Sequence, residues 1–284
     1  MNAQIKFAIS MIIFGSVGYF SVKSGLPSIE LVFVRCLCAT ILLGSVWFFG
    51  IHKKQKHFMY VPKKEYVFSV LCGFFLVWNW VFFFRSIETM SVTVAISIYH
   101  LAPVLVLLLG AVLYRERVTF IAGTAFAICL MGTLLVGGIN QHTSLNDFLS
   151  TGILWAFAAA LFYALTTLTG KAIQTLDSTL TTVIQTTLGV IMLLPLVDWS
   201  HFNQLNLENW FYILVTGFIH TGFVYYLFFN SLRSLKAQTI AILVFLDPAV
   251  AILIDIVFTH YPPDVYQVIG ILLTFLGMAL ALKK

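Results

Sequence analysis

Charged residues are scarce in this chain: aspartate, glutamate, lysine and arginine make up 10% of the 284 residues, whereas 60% are apolar. A water-soluble domain carries roughly 25% charged residues, so this composition excludes one. Long polar segments are also lacking, and no Gly-x-x-x-x-Gly-Lys-Ser/Thr phosphate loop occurs. The sequence therefore predicts a membrane protein without an ATPase.

The signatures of intramembrane enzymes are missing as well. The sequence contains neither a His-Glu-x-x-His zinc motif nor a Gly-x-Ser-x-Gly nucleophile. Cys36, Cys38, Cys72 and Cys129 fall in apolar runs and lack the spacing of a metal cage. We therefore expect no metal, no cofactor and no disulfide framework, and an enzyme is disfavoured.

Long apolar runs fill most of the chain. About 20 apolar residues cross a bilayer as a helix, and continuous rather than alternating apolarity favours helices over a barrel. We predict an all-α membrane protein with ten transmembrane helices, near residues 5–22, 29–50, 66–86, 91–113, 119–138, 151–171, 178–197, 208–231, 237–258 and 264–282.

Basic residues are distributed unevenly between the predicted loops. If the N-terminus is cytoplasmic, thirteen of the sixteen lie on the cytoplasmic side: Lys6, Lys53, Lys54, Lys56, Lys63, Lys64, Arg115, Arg117, Lys171, Arg233, Lys236, Lys283 and Lys284. The outer loops hold only Lys23 and Arg85, as the positive-inside rule predicts. Topology, and not nucleic acid, thus explains the net charge of +5. We predict a multi-pass protein of the bacterial inner (plasma) membrane with both termini in the cytoplasm.

The two halves of the chain match each other. Pro103 matches Pro248 at an offset of 145 residues, and further matches follow at 145 and 148 along both halves. Each half holds five predicted helices, an odd number, so the second half must enter the membrane from the opposite side. We predict two inverted five-helix repeats, 1–138 and 151–284, joined by an external linker at 139–150.

Prolines and ionisable residues inside the predicted spans mark a candidate central site. Pro103 and Pro248 each free a backbone carbonyl at equivalent positions, although kinks that only improve packing are an alternative. A rise of about 1.5 Å per residue places His100, His220 and Asp247 near the bilayer midplane. Ionisable groups at that depth normally face a cavity or a partner. We predict that these three bind solute or carry protons, with structural hydrogen bonds or an ion pair as the alternative.

Aromatic and amide residues lie close to the same depth. Trp78, Asn79, Tyr99, Tyr163 and Tyr225 are candidates to cradle an apolar side chain or a cation of the solute. Interfacial anchoring or plain packing also explains aromatic residues in spans. We therefore predict that these residues bind substrate, with packing as the alternative.

Three further residues are assigned to gating or packing. Gly15 lies in helix 1, where this helix and its counterpart, helix 6, would rock during a transport cycle. Asp255 lies about 12 Å from the midplane, close to the outer surface. Arg35 lies near the outer end of helix 2. We expect it to extend outward or to pair with Asp255, Glu30 or Glu88.

Two segments resemble the signature of EamA-like members of the drug/metabolite transporter superfamily: SIETMSVTVAISIYHLAPVLVLLLGAVLYRERVT (86–119) and HTGFVYYLFFNSLRSLKAQTIAILVFLDPAVAILID (220–255). The likeness extends to Phe14-Gly15-Ser16 and to Arg35. The acidic turn at Glu116 has no counterpart in the second half. The resemblance implies ten helices in two inverted repeats around a central cavity. It also implies movement of small organic solutes, often amino acids, frequently outward.

The leading functional hypothesis is a secondary active transporter that exports small organic metabolites by alternating access, with protons as the favoured coupling ion. An uncoupled facilitator or channel-like pore is the alternative, and an intramembrane enzyme has far less support. The partners we expect are a small-molecule substrate and the lipid bilayer, without nucleic acid. Ten helices can enclose a cavity in one chain, so a monomer suffices and a homodimer is the alternative.

Overall fold

The computed structural model describes residues 2–51, 61–89, 99, 101–115, 118–136, 152–258 and 265–282, and all regular structure in these ranges is helical. The helices are α1 (Ala3–Phe14), α2 (Val17–Ser24), α3 (Ser28–Ile51), α4 (Lys63–Thr89), α5 (Ala102–Tyr114), α6 (Phe120–Val136), α7 (Gly152–Ala172), α8 (Ser178–Leu193), α9 (Leu207–Gly217), α10 (Val224–Leu232), α11 (Ala237–Leu243), α12 (Leu246–Phe258) and α13 (Val265–Leu282). Two short 3₁₀ turns follow α8, and a π-helical segment, Phe218–Phe223, joins α9 to α10. The predicted all-α fold is therefore confirmed for these ranges.

Six helical stretches are long and apolar enough to cross a membrane: Ala3–Ser24, Ser28–Phe49, Lys63–Thr89, Gly152–Ala172, Ser178–Leu196 and Leu207–Leu232. Helices α5, α6, α11 with α12, and α13 lie where the other four spans are predicted. Within the described ranges these helices are shorter or interrupted. The count of ten spans therefore stays a prediction, and the 139–150 linker lies outside the described residues.

The first predicted span is interrupted, because α1 ends at Phe14 and α2 begins at Val17. The Ser16 amide donates to the Ile13 carbonyl at 3.1 Å, one residue closer along the chain than in an α-helix. The Ser16 hydroxyl donates to the same carbonyl at 2.7 Å. This serine therefore satisfies backbone groups that the interruption would otherwise leave without partners.

Gly15 permits a close approach between this break and α12. A Cβ atom placed on Gly15 would lie 2.6 Å from the Asp247 carbonyl oxygen and 2.7 Å from the Cβ of Val250. Distances this short cannot be tolerated without movement of backbone or of a β-branched side chain. Only glycine thus allows the α1–α2 break to pack directly against the start of α12.

A second break separates α11 from α12 just before Pro248. A proline cannot donate to the carbonyl four residues earlier, which here belongs to Val244. The Asp247 amide donates to that carbonyl instead, at 3.1 Å, and the chain resumes as α12. Pro103 lies in the first turn of α5, where its missing N–H costs little. Of the residues that precede it, 90–98 and 100 lie outside the described part of the chain.

Helices from the two halves pack against each other in pairs. Helix α3 packs on α8, α4 on α7, α6 on α13 and α1 on α10. Glycine again permits close contact, since a Cβ on Gly73 would lie 2.8 Å from the Cα of Gln185. Buried apolar side chains from both halves, among them Phe7, Leu76 and Phe245, form one continuous cluster. The hydrophobic core therefore runs through both halves of the chain.

Buried carboxylates hold loops at the ends of the bundle. Glu65, at the start of α4, accepts a hydrogen bond from the Thr175 amide at 2.9 Å. Glu30, near the start of α3, accepts from the Asp198 amide at 3.0 Å and contacts His201 at 3.1 Å. Both side chains are buried, and both are engaged by these loop contacts. Neither is free to neutralise a charge in the interior of the bundle.

Replacing Gly15 by alanine tests the packing of the first break. The added Cβ would overlap the Asp247 carbonyl and Val250, and overpacking of this kind costs about 1–3 kcal/mol. We expect Gly15→Ala to lower the unfolding temperature of the detergent-solubilised protein, followed by circular dichroism. Gly18→Ala is the matched control, because a Cβ there meets no atom within 4 Å. Equal unfolding temperatures for the two variants would contradict the close approach.

Candidate functional site

Arg35 lies in α3 with only 2% of its surface exposed. Its Nε donates to the Thr221 hydroxyl at 2.9 Å. The guanidinium carbon lies 4.6 Å from the centre of the Trp80 ring and 5.4 Å from the centre of the Phe84 ring. Aromatic faces attract such a cation and replace part of its hydration. The interior of the bundle therefore holds a positive charge that is surrounded by rings and a hydroxyl.

The acidic partners expected for Arg35 are engaged elsewhere. Glu30 is bound to its loop, and Glu88 forms an ion pair with Arg85 at 2.7 Å. The prediction that Arg35 pairs with either glutamate or extends outward is therefore wrong, because its guanidinium is stacked on interior rings. The side chain of Asp255 lies outside the described part of the chain. No described carboxylate forms an ion pair with Arg35.

The π-helical segment Phe218–Phe223 presents two polar side chains to the interior. The Thr221 hydroxyl donates to the Thr216 carbonyl, five residues earlier, at 2.9 Å. Nε2 of His220 lies 2.6 Å from the Ser16 hydroxyl at the α1–α2 break. Single π-helical turns are frequent at functional sites. This segment connects the guanidinium to the first helix break, since Thr221 contacts one and His220 the other.

Trp80 and Tyr225 join α4 to α10 beside the guanidinium. The Trp80 indole N–H donates to the Tyr225 hydroxyl at 2.7 Å, and the rings meet edge to face with centroids 4.9 Å apart. Phe14, the last residue of α1, packs against the Tyr225 ring at 4.8 Å. These three residues form an aromatic wall in which the indole donor is satisfied.

A second aromatic group lies on α4 and α7. The Asn79 amide donates to the Ala159 carbonyl at 2.7 Å and to the Tyr99 hydroxyl at 3.3 Å. The Tyr99 ring packs against Phe83 at 4.4 Å and against Tyr163 at 5.9 Å. Asn79 thus fixes the position of Tyr99, which lies on the α5 side of the bundle.

Asp247 lies at the second helix break and is partly buried. Its carboxylate makes no hydrogen bond or ion pair with any residue that the structure describes. The Asp247 carboxyl lies within electrostatic range of the Tyr99, Tyr163 and Tyr225 hydroxyls. Arg35 lies within the same range of Tyr99 and Tyr225. An acidic and a basic group that are not paired with each other therefore lie near the same two tyrosines.

The structure brings most of the residues singled out from the sequence to this interior site: Asn79, Tyr99, Tyr163, His220, Tyr225, Asp247, Gly15 and Arg35. Trp78 lies on another face of α4, where its partly buried ring stacks on Phe82 at 5.3 Å. His100 and the side chain of Pro248 lie outside the described part of the chain.

Sequence reasoning missed Trp80, Ser16 and Thr221 as members of the site. Trp80 carried a usable signal, because it is the counterpart of Tyr225 at the offset of 145 residues. Ser16 and Thr221 carried none, since small hydroxyl residues are common in spans and usually serve helix packing.

The fold and the interior site define a multi-pass helical membrane protein. The sequence profile of the EamA-like transporter family matches residues 1–138 and 150–283. The chain therefore belongs to the EamA-like transporter family, which confirms the resemblance found in the sequence.

Two known proteins are similar over nearly the whole chain. "Uncharacterized transporter YxxF" of Bacillus subtilis (strain 168) is 54% identical over 284 residues, which are 100% of this chain and 90% of the relative. A protein of known crystal structure matches with a TM-score of 0.81 at 15% identity, over 98% of this chain and 97% of its own. The second match shows likeness of fold alone. The family and the Bacillus relative together identify a transporter.

Removing the hydrogen bond between Trp80 and Tyr225 tests the aromatic wall. Trp80→Phe and Tyr225→Phe each retain a ring and lose the bond, which contributes about 0.5–1.5 kcal/mol. We expect the double variant to lose less unfolding free energy than the two single losses added together, measured by chemical unfolding in detergent. Trp78→Phe is the control, because no described residue accepts a hydrogen bond from it. Strictly additive losses would contradict the direct contact.

Proposed function

We propose that this transporter is a secondary carrier that moves small organic metabolites, such as amino acids or related compounds, by alternating access and chiefly outward. The observation that carries the proposal is the pair of interior charges, Arg35 and Asp247, neither of which has a described partner of opposite sign. A site with unpaired charges and aromatic walls suits a polar or amphipathic solute. Membership of the family supports transport, and the outward direction rests on the resemblance.

A contact between equivalent residues supports a duplicated architecture. Trp80 and Tyr225 lie 145 residues apart in sequence and touch each other. Equivalent residues of two related units touch only close to a two-fold axis between the units. This contact supports two repeats related by a pseudo-two-fold axis, and five spans per repeat would make them inverted.

The two helix breaks supply the moving parts in this proposal. The α1–α2 break packs on the start of α12, and the contact of Ser16 with His220 ties it to the π-helical segment. Irregular backbone at membrane depth is tolerated where protein encloses it or where it lines a cavity. Rocking of α1 and α2 against α12 would open one side of the site at a time.

Asp247 is the proposed coupling residue. An intramembrane carboxylate without a partner is a candidate proton carrier, or a ligand for a cationic group of the solute. His220, which is linked to the first break through Ser16, and His100 are proposed to assist in proton movement. An uncoupled facilitator would use the same site without this proton step.

We place the carrier in the bacterial plasma membrane with both termini in the cytoplasm. Basic residues predicted to be cytoplasmic bind the same end of the bundle: Lys6 donates to Asn230 at 2.5 Å, and Arg233 donates to the Gln174 carbonyl at 3.3 Å. Asn230 in turn donates to the Ser178 hydroxyl at the start of α8. Grouping of basic residues at one end supports the orientation by the positive-inside rule.

Transport assays in proteoliposomes test this function. We expect saturable uptake, counter-transport of preloaded solute, and stimulation by a pH gradient. Asp247→Asn removes the titratable group and preserves the size of the side chain. Gradient-driven flux should fall by about tenfold or more, which corresponds to about 1.4 kcal/mol, with a smaller loss of counter-transport.

The control for this variant is Asp198→Asn. Asp198 lies in the α8–α9 connection and caps a 3₁₀ turn through a hydrogen bond from the Ser200 amide at 2.9 Å, a bond that asparagine can also accept. Unchanged gradient-driven flux in Asp247→Asn would contradict the coupling role. Flux that does not saturate and shows no counter-transport would favour the channel-like alternative.

A further inference from the structure

The Arg35 guanidinium has more hydrogen-bonding capacity than its described neighbours use. A guanidinium carries N–H donors on Nε, Nη1 and Nη2 and can accept no hydrogen bond. Nε donates to Thr221, and neither Nη atom donates to any residue in the described ranges. The side chain is nevertheless 2% exposed. A buried, unpaired cation is destabilising, so packing alone gives no reason to place arginine here.

The neighbours of Arg35 restrict the direction from which a further group can bind. The rings of Trp80 and Phe84 lie against the guanidinium, and Thr221 occupies Nε. The two Nη atoms are left as an edge of parallel donors. Such an edge matches the two oxygens of a carboxylate, which guanidinium groups bind side by side.

The chain's own carboxylates do not fill this position among the residues described. Glu30 and Glu65 are bound to loops, and Glu88 is paired with Arg85. Asp247 forms no ion pair with Arg35. An anion that pairs with Arg35 would therefore come from outside the described residues.

We propose that Arg35 binds the anionic group of the transported solute and that this group is a carboxylate. This inference rests on the proposed transport function and narrows its solutes to carboxylate-bearing metabolites. A phosphate ester would bring up to about two negative charges to a site with one described cation, so a monocarboxylate fits better. A zwitterionic solute fits best, because its cationic end leaves Asp247 compensated as well.

Four compounds on one carbon skeleton test the inference with the wild-type protein. The set consists of an amino acid, its amide, its decarboxylated amine and its deaminated acid, with phenylalanine and leucine as the two skeletons. Each compound competes for counter-transport of the amino acid in proteoliposomes and is added separately to the detergent-purified protein in thermal unfolding. We expect the amide and the amine to bind about 10- to 100-fold more weakly than the amino acid, the usual loss when a charge-assisted hydrogen bond is removed. The deaminated acid should retain measurable binding.

Variants of Arg35 test whether this residue distinguishes the amino acid from its amide. Arg35→Gln should bind the amino acid and its amide with similar affinity, and Arg35→Lys should retain part of the preference because it keeps the charge without the fork of donors. If the role of Arg35 were purely structural, its substitution would weaken the binding of both compounds equally. Arg85→Gln is the matched control, since Arg85 is an exposed arginine in an ion pair within its own helix. It should keep the wild-type preference.

Two outcomes overturn the inference while the proposed function stands. In one, the wild-type protein transports amides or amines as well as the acids. In the other, Arg35→Gln keeps the full preference for the carboxylate. A wild-type protein that transports and binds none of the compounds contradicts the proposed solute class together with this inference. If Arg35→Gln does not fold, the comparison of compounds on the wild-type protein decides alone.

Discussion

Charge compensation in a medium of low dielectric constant is the constraint on which this structure depends. Within the described bundle, the buried Glu30 and Glu65 meet this constraint by accepting hydrogen bonds from backbone amides. Arg35 is covered by rings and one hydroxyl but has no described counter-charge, and Asp247 has no described partner. Intramembrane charges are expensive, and a fold that needed only stability would replace such groups with apolar ones. In the proposed carrier, a bound solute would compensate Arg35, and a proton or the solute would compensate Asp247.

Irregular backbone is concentrated around the same two charges. Arg35 contacts the π-helical segment, Asp247 lies at the break before α12, and the α1–α2 break packs against both regions. Each irregularity has a local compensation: the Ser16 hydroxyl bonds the Ile13 carbonyl, and Asp247 supplies the amide that Pro248 lacks. The breaks are thus satisfied locally, and irregular turns of this kind often mark hinges. Binding of a solute at Arg35 or Asp247 would consequently affect the helix breaks, where the helices bend most easily.

Helix positions could be predicted from the sequence because long apolar runs are a local signal. The predicted spans 29–50 and 66–86 correspond to α3 and α4 with ends that differ by only a few residues. The orientation of a helix about its own axis could not be predicted in this way. Periodicity cannot tell which of Trp78 and Trp80 belongs to the site, because a lipid-facing side chain and a core-facing side chain are equally apolar. The contact between Arg35 and Thr221 could not be predicted for a related reason. Thr221 comes from the other half of the chain, and no local pattern indicates a contact between residues 186 positions apart.

The proposed duplication accounts better for the helix breaks than for the two interior charges, Arg35 and Asp247. Trp80 and Tyr225 correspond at the offset of 145 and touch at the contact between the halves, as they would close to a pseudo-two-fold axis. Asp247 corresponds to Ala102 at the offset of 145, and the positions that correspond to Arg35 at offsets of 145 to 148 are Leu180, Thr181, Thr182 and Val183. Each half thus contributes one charge that the other half lacks. A symmetric scaffold would let the two halves exchange their conformations, whereas the two unlike charges would hold a solute in one orientation throughout the exchange. The orientation in which the solute is held would then depend on the side chains of Arg35 and Asp247 and not on the scaffold that moves around them.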